Sequence, residues 1–204
     1  MNSNQYLGKE ITVKMETEIT VKVTSTYEEL HNLLISQGLK ILDDYQLDDI
    51  YVVPKDLDIY NTDELEVLKH CVLIRDVDNK DKKLVYKYKK YKDNGDIIEQ
   101  GKAQCKIEDI DQALNFMKAI NYIELFKIND HVIVYGNKES ELCVQLVNDK
   151  YIFIEIEEDC HHTGKKYTSI EEMINDLEKY NIEYDKSDYY VKKALISLKE
   201  SKTV

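Results

Sequence analysis

The chain has 204 residues, 43% of them hydrophobic, and a formal net charge of -12. The apolar share is enough for a core and excludes global disorder, while the acidic balance works against binding nucleic acid or an anionic membrane, both of which need a basic face. One proline and six glycines leave no linker, so residues 1–204 read as a single domain.

The opening MNSNQYLGKE lacks a basic stretch followed by an apolar one, and no run approaches membrane-spanning length. Cys71, Cys105, Cys143 and Cys160 form no C-x-x-C pair. A cytoplasmic protein with reduced thiols is the simplest reading.

Residues 10–23 (EITVKMETEITVKV) alternate strictly between apolar and polar, the signature of a strand. EITVK occurs twice there, which reads as one long strand or a bent pair. Thr26 and Glu29 form a capping box for a helix over 27–37, with Leu30, Leu33 and Leu34 as its apolar face and Gly38 as its stop. Strands follow over 40–53, ended by Pro54, then over 67–78 and 83–91. Asp93 to Asp96 (DNGD) is a hairpin turn, with the returning strand over 97–107. Ile110, Ala113, Leu114 and Met117 predict a helix over 109–120. Strands over 123–135, 141–148 and 151–158 are separated by Gly136-Asn137 and Asn148-Asp149. Ser169 and Glu172 cap a helix over 169–180, and a last helix covers 187–199. About eight strands with hairpin-length connections and four helices predict an α+β fold, an eight-stranded antiparallel β-barrel, or tunnel, with flanking helices.

One parity of most strands carries charge. It includes Glu16, Glu18 and Lys22, then Arg75, Lys87 with Lys89, Lys102 with Lys106, Lys127, Glu141, and Glu155 with Glu157. In a closed sheet such residues face either solvent or an internal cavity. Solvent is the usual answer for a single strand. Here the amphipathic helices need an apolar surface to cover, and the outer face of the barrel supplies it, which turns the charges inward. Both signs recur on that face. Cations neutralise phosphate oxygens, and paired carboxylates hold Mg²⁺ or Mn²⁺ against them. Arg75 is the single arginine, so lysine carries most of the cationic role.

Other patterns carry less. Asp159-Cys160-His161-His162 places four metal-ligand types in a row without standard spacing, and reads as a solvated loop. The lysine–tyrosine run at 82–92 has the composition of a single-strand nucleic-acid strip, but net acidity argues against that use. No P-loop, G-x-G-x-x-G or G-x-S-x-G occurs.

Six segments, in order over roughly 10–198, carry a family resemblance. Glu18-Ile19-Thr20-Val21-Lys22, followed directly by a helix, resembles the Glu-x-Glu-x-Lys opening of the CYTH, or triphosphate tunnel, superfamily. Gln46-x-Asp48-x-x-Tyr51, Leu73-Ile74-Arg75, Leu84-Val85-Tyr86-Lys87, Lys127 and Phe153-Ile154-Glu155-Ile156-Glu157 resemble its later strands. The resemblance implies hydrolysis of a triphosphate (inorganic, thiamine or nucleotide) by water attack, with two divalent cations bridging carboxylates and phosphate, and adenylate cyclase activity as a variant. It implies that Glu18, Glu155 and Glu157 hold Mg²⁺ or Mn²⁺. It gives phosphate to Arg75, Lys87, Lys89, Lys102 and Lys127, and water activation or steadying of the transferred group to Lys22. Three acidic positions depart from the pattern: Thr20, Gln104 and Gln145. They open an alternative, a catalytically degenerate tunnel that binds a polyphosphate or another anionic metabolite without turnover. A structural domain with an acidic exterior and no ligand is the third reading.

Overall fold

The computed structural model describes residues 14, 15, 17–91 and 97–203, without the side chains of 14, 15, 89–91 and 97–100. The expected strand residues 10–13, Glu16 and the turn at 93–96 lie outside the described residues. In chain order the elements are β1 (Lys14–Met15), β2 (Glu18–Lys22), α1 (Tyr27–Ser36), β3 (Lys40–Pro54), α2 (Glu64–Lys69), β4 (Val72–Val77), β5 (Asp81–Tyr91) and β6 (Ile97–Lys106). They continue with α3 (Ile110–Ala119), β7 (Tyr122–Gly136), β8 (Glu141–Val147), β9 (Tyr151–Glu157), α4 (Ile170–Glu178) and α5 (Lys193–Ser201).

All nine strands belong to one antiparallel sheet ordered β1-β6-β5-β4-β3-β7-β8-β9-β2. Its two ends, β1 and β2, are consecutive in the chain. The sheet therefore curls into a tunnel whose seam is the N-terminal segment. The expected count of eight becomes nine because that segment is split. Its first half pairs with β6 and its second with β9, and among the described residues no ladder joins the halves.

Local signals set most boundaries. Thr26 and Glu29 make the reciprocal capping box of α1, and Ser169 caps α4. Two elements differ from expectation. Asp63 accepts hydrogen bonds from the backbone of Leu65 and Glu66, and this cap coils residues 64–69 into α2. The strand expected from 67 therefore begins only at Val72. The last helix starts at Lys193 rather than 187. The preceding segment runs extended along the open edge of β2, where Thr20 N–H donates to Tyr189 O (2.9 Å) and Val191 N–H to Thr20 O (3.0 Å). An unpaired strand edge has donors and acceptors to satisfy, and this strap satisfies them.

The core lies outside the sheet. Ile19 and Val21 of β2, Val144 of β8 and Ile154 and Ile156 of β9 are buried under Leu30 and Leu34 of α1 and Met173 and Leu177 of α4. α3 covers the next sector, with Ala113 and Met117 on Val52 and Ile74. The inward parity changes along the tunnel. At one end Tyr51, Val53, Leu73, Val85, Phe126, Ile128 and Phe153 pack with Val67 of α2 and Leu198 of α5 into an apolar plug. Toward the other end the same parity carries charge.

The loop from Asp159 to Thr168 is tied down by two carboxylates. Glu141 accepts from the backbone of His162 (3.0 Å) and Thr163 (2.7 Å). Asp176 accepts from Ser140 (2.9 Å), Lys179 (2.6 Å), Lys165 (3.1 Å) and the Tyr167 hydroxyl. Burial of Asp176 works to raise its pKa. The bonds from Lys179, Tyr167, Ser140 and Lys165 outweigh that and hold the carboxyl below its usual range.

Two predictions follow from this packing. Ile154→Ala, which empties a site on the outer face, lowers unfolding free energy by about 3 kcal/mol. The neighbouring inward Glu157→Ala costs far less, as urea titration of the two variants will show. Asp176→Ala costs about 3 kcal/mol near neutral pH. A depressed carboxyl stabilises above its unfolded pKa of about 3.9 and loses that contribution as pH falls through its lower folded value. The gap between wild type and variant therefore narrows in urea titrations carried down to about pH 3.

Candidate functional site: a two-signed cavity in the tunnel

The charged half of the bore encloses a cavity of about 220 Å³. Its wall includes the cations Lys69, Arg75, Lys87, Lys102, Lys192 and Lys193 and the carboxylates Glu18, Asp49, Asp130, Glu155 and Glu157. Among the described residues the wall thus carries six cations against five carboxylates, in a chain of net charge -12.

Strand pairing arranges the charges by sign. Glu18 of β2 lies directly opposite Glu157 of β9, and Thr20 opposite Glu155. Glu18, Glu155 and Glu157 each bring a carboxylate oxygen within 4.8 Å of the others, the only such convergence of acidic, histidine or cysteine groups among the described residues. An all-oxygen set of this kind suits a hard divalent cation such as Mg²⁺ or Mn²⁺. Across the bore Lys87 of β5 lies directly opposite Lys102 of β6. Arg75 of β4 is held by a two-pronged contact with Asp49 of β3, both bonds 2.7 Å. That pairing fixes the guanidinium plane at the wall.

Lys193, at the first turn of α5, enters from the plugged end. Its ammonium donates to Gln145 Oε1, and lies 3.3 Å from Glu155 Oε2 and 3.7 Å from Asp130 Oδ2. Burial works to lower its pKa, but Glu155 and Asp130 prevail and raise it, so it stays charged. Asp130 has a side chain only 4% exposed, and its Oδ1 accepts no hydrogen bond. Burial raises the Asp130 carboxyl. Burial, then Cys143, Glu155 and Glu157, raise the Tyr45 phenol on the same wall, keeping it protonated.

Six of the residues singled out from sequence meet in this cavity: Glu18, Arg75, Lys87, Lys102, Glu155 and Glu157. Two do not. Lys127 lies one position out of parity, since Ile128 and Asp130 face inward. Its side chain is 55% exposed and pairs with Glu124 at 3.4 Å. Lys22 shares the parity of Glu18, but four residues along a strand carry it about 13 Å. It sits opposite Phe153 at the plug, with its ammonium 4.7 Å from the Tyr151 ring, and does not line the cavity. The side chain of Lys89 lies outside the described residues. Thr20 and Gln145 line the cavity, whereas Gln104 is exposed and does not. His161 and His162 diverge, toward Glu157 and Asp43 respectively, both at 3.7 Å.

Sequence reasoning missed Asp49, Asp130, Tyr45 and Lys193. The first three share the inward parity of their strands with Tyr51 and Ile128, a signal that was present. For Lys193 no such signal existed, because its place depends on where α5 starts.

No family model and no curated protein matches the sequence. Solved structures match over most of their length. The PH1012 protein of Pyrococcus horikoshii has a TM-score of 0.60 at 16% identity, covering 89% of this chain and 99% of that one. A candidate adenylate cyclase of Vibrio parahaemolyticus has a TM-score of 0.59 at 10% identity, covering 95% and 100%. A candidate adenylyl cyclase of Hippeastrum, described as having a dominant triphosphatase activity, has a TM-score of 0.57 at 15% identity, covering 91% and 95%. Identities of this size speak for the fold alone. By its strand order and these structural matches, the chain has the fold of these proteins, the antiparallel tunnel with flanking helices that the sequence resemblance implied.

Proposed function

We propose that the cavity binds the triphosphate group of a small molecule together with a divalent cation, and that the chain hydrolyses it. One observation carries this reading. Two like-charge pairs, Glu18 with Glu157 and Lys87 with Lys102, stand directly opposite each other on neighbouring strands of the same inner wall. Such pairs oppose folding. A dication relieves the first and a polyphosphate the second, so one ligand complex answers both. The Hippeastrum protein of the same fold, with its triphosphatase activity, adds support.

In this reading Glu18, Glu155 and Glu157 hold Mg²⁺ or Mn²⁺, which when bound neutralises phosphate oxygens and makes the terminal phosphorus more electrophilic. Lys87, Lys102 and Arg75 hold the non-bridging oxygens and fix the terminal phosphoryl group in line with an incoming water. Asp130, on the cavity wall with a raised pKa, takes the proton of that water. The new P–O bond forms as the bridging P–O bond breaks, and the leaving diphosphate carries away the bond's electron pair. Lys22, stacked on Tyr151 behind the plug, has no part in the step.

A second reading keeps binding without turnover. Thr20 and Gln145 favour it, since both line the cavity where the resemblance expects carboxylates. Melting curves with tripolyphosphate, with and without Mn²⁺, run beside a phosphate-release assay, separate the two. Hydrolysis predicts a rise in Tm, larger with Mn²⁺, together with release. A rise without release leaves binding alone, and no rise contradicts both. Lys102→Met weakens tripolyphosphate binding about 10- to 100-fold, the worth of one charged hydrogen bond. A lower unliganded Tm with unchanged affinity would assign Lys102 to structure.

A further inference from the structure

We infer that the Lys193 ammonium is a built-in replacement for a second divalent cation, so that the tunnel takes one metal ion per triphosphate rather than two. The inference rests on the polyphosphate site proposed above. The resemblance implies two divalent cations bridging carboxylates and phosphate. The triad of Glu18, Glu155 and Glu157 fits one of them. Around Glu155 the residues do not fit another. Its partner on β2 is Thr20, and Gln145, a neutral amide, donates to Glu155 Oε2 at 3.3 Å. Beside these two neutral residues comes the ammonium of Lys193, which bonds Gln145 Oε1 and stands 3.3 Å from Glu155 and 3.7 Å from Asp130.

The changes are coherent as a set. Thr20 and Gln145 stand where the resemblance expects carboxylates, and an ammonium stands against Gln145 and Glu155. Simple loss of ligands accounts for the neutral residues and not for a buried ammonium set among Gln145, Glu155 and Asp130. The ammonium is also firmly delivered. The strap before α5 is bonded to both backbone groups of Thr20, and the start of α5 adds the positive end of its dipole at the same spot. A dication in contact with this ammonium would meet strong repulsion in a poorly solvated site. An amide oxygen and two shared carboxylate oxygens instead match the three donors of an ammonium.

The test is the number of Mn²⁺ ions bound per chain, read by electron paramagnetic resonance titration of the full chain with saturating imidotriphosphate. Wild type and Lys193→Arg bind one. Gln145→Asp with Lys193→Ala, shown folded by circular dichroism, binds two. Lys193→Met alone binds more than one at millimolar Mn²⁺, which serves should the double variant fail to fold. Two ions on the wild type, or one on a folded double variant, overturn the inference. A wild type that binds no imidotriphosphate overturns the proposed function itself.

Discussion

The structure depends on the apolar contact between the outside of the curled sheet and its helices. Ile19, Val21, Ile154 and Ile156 supply one side of that contact and Leu30, Leu34, Met173 and Leu177 the other. Because this layer supplies the burial, the inward parity of the same strands is released from packing over half the bore. Only there does a wall of lysines and glutamates cost the fold little. The remaining half is filled by the plug of α2 and α5, which sets the depth of the cavity and brings Lys193 to its floor.

Within that frame the site is built from opposed charges. Antiparallel pairing places Glu18 against Glu157 and Lys87 against Lys102, arrangements that cross-strand energetics disfavour in an empty protein. Other charges are neutralised internally: Arg75 by Asp49, and Lys193 by Glu155 with Asp130. The like-charge pairs mark where a ligand carrying both signs fits, and the Arg75–Asp49 and Lys193–Glu155 contacts hold the geometry of the wall.

Much of this was legible in the sequence. Strict alternation in β2 and β9 gave both the apolar layer and the position of the three glutamates, capping residues located α1 and α4, and helical spacing of apolar residues located α3. The failures have physical causes. α2 was hidden because the apolar residues of Glu64–Lys69 also suit the start of a strand, and only the Asp63 cap decides between them. Lys127 was misplaced because a one-residue error in register turns a side chain to the opposite face. Lys22 had the correct parity but the wrong depth, and depth depends on a plug assembled from distant segments. Lys193 arrives through tertiary structure alone, since the strap along β2 fixes where α5 can begin.

The most direct test is a crystal structure of the full chain with imidotriphosphate and Mn²⁺, with the metal located by anomalous scattering. The account predicts phosphate density inside the bore between Lys87 and Lys102, and an anomalous peak among Glu18, Glu155 and Glu157. Phosphate bound only on the outer surface, around an unchanged bore, would contradict it.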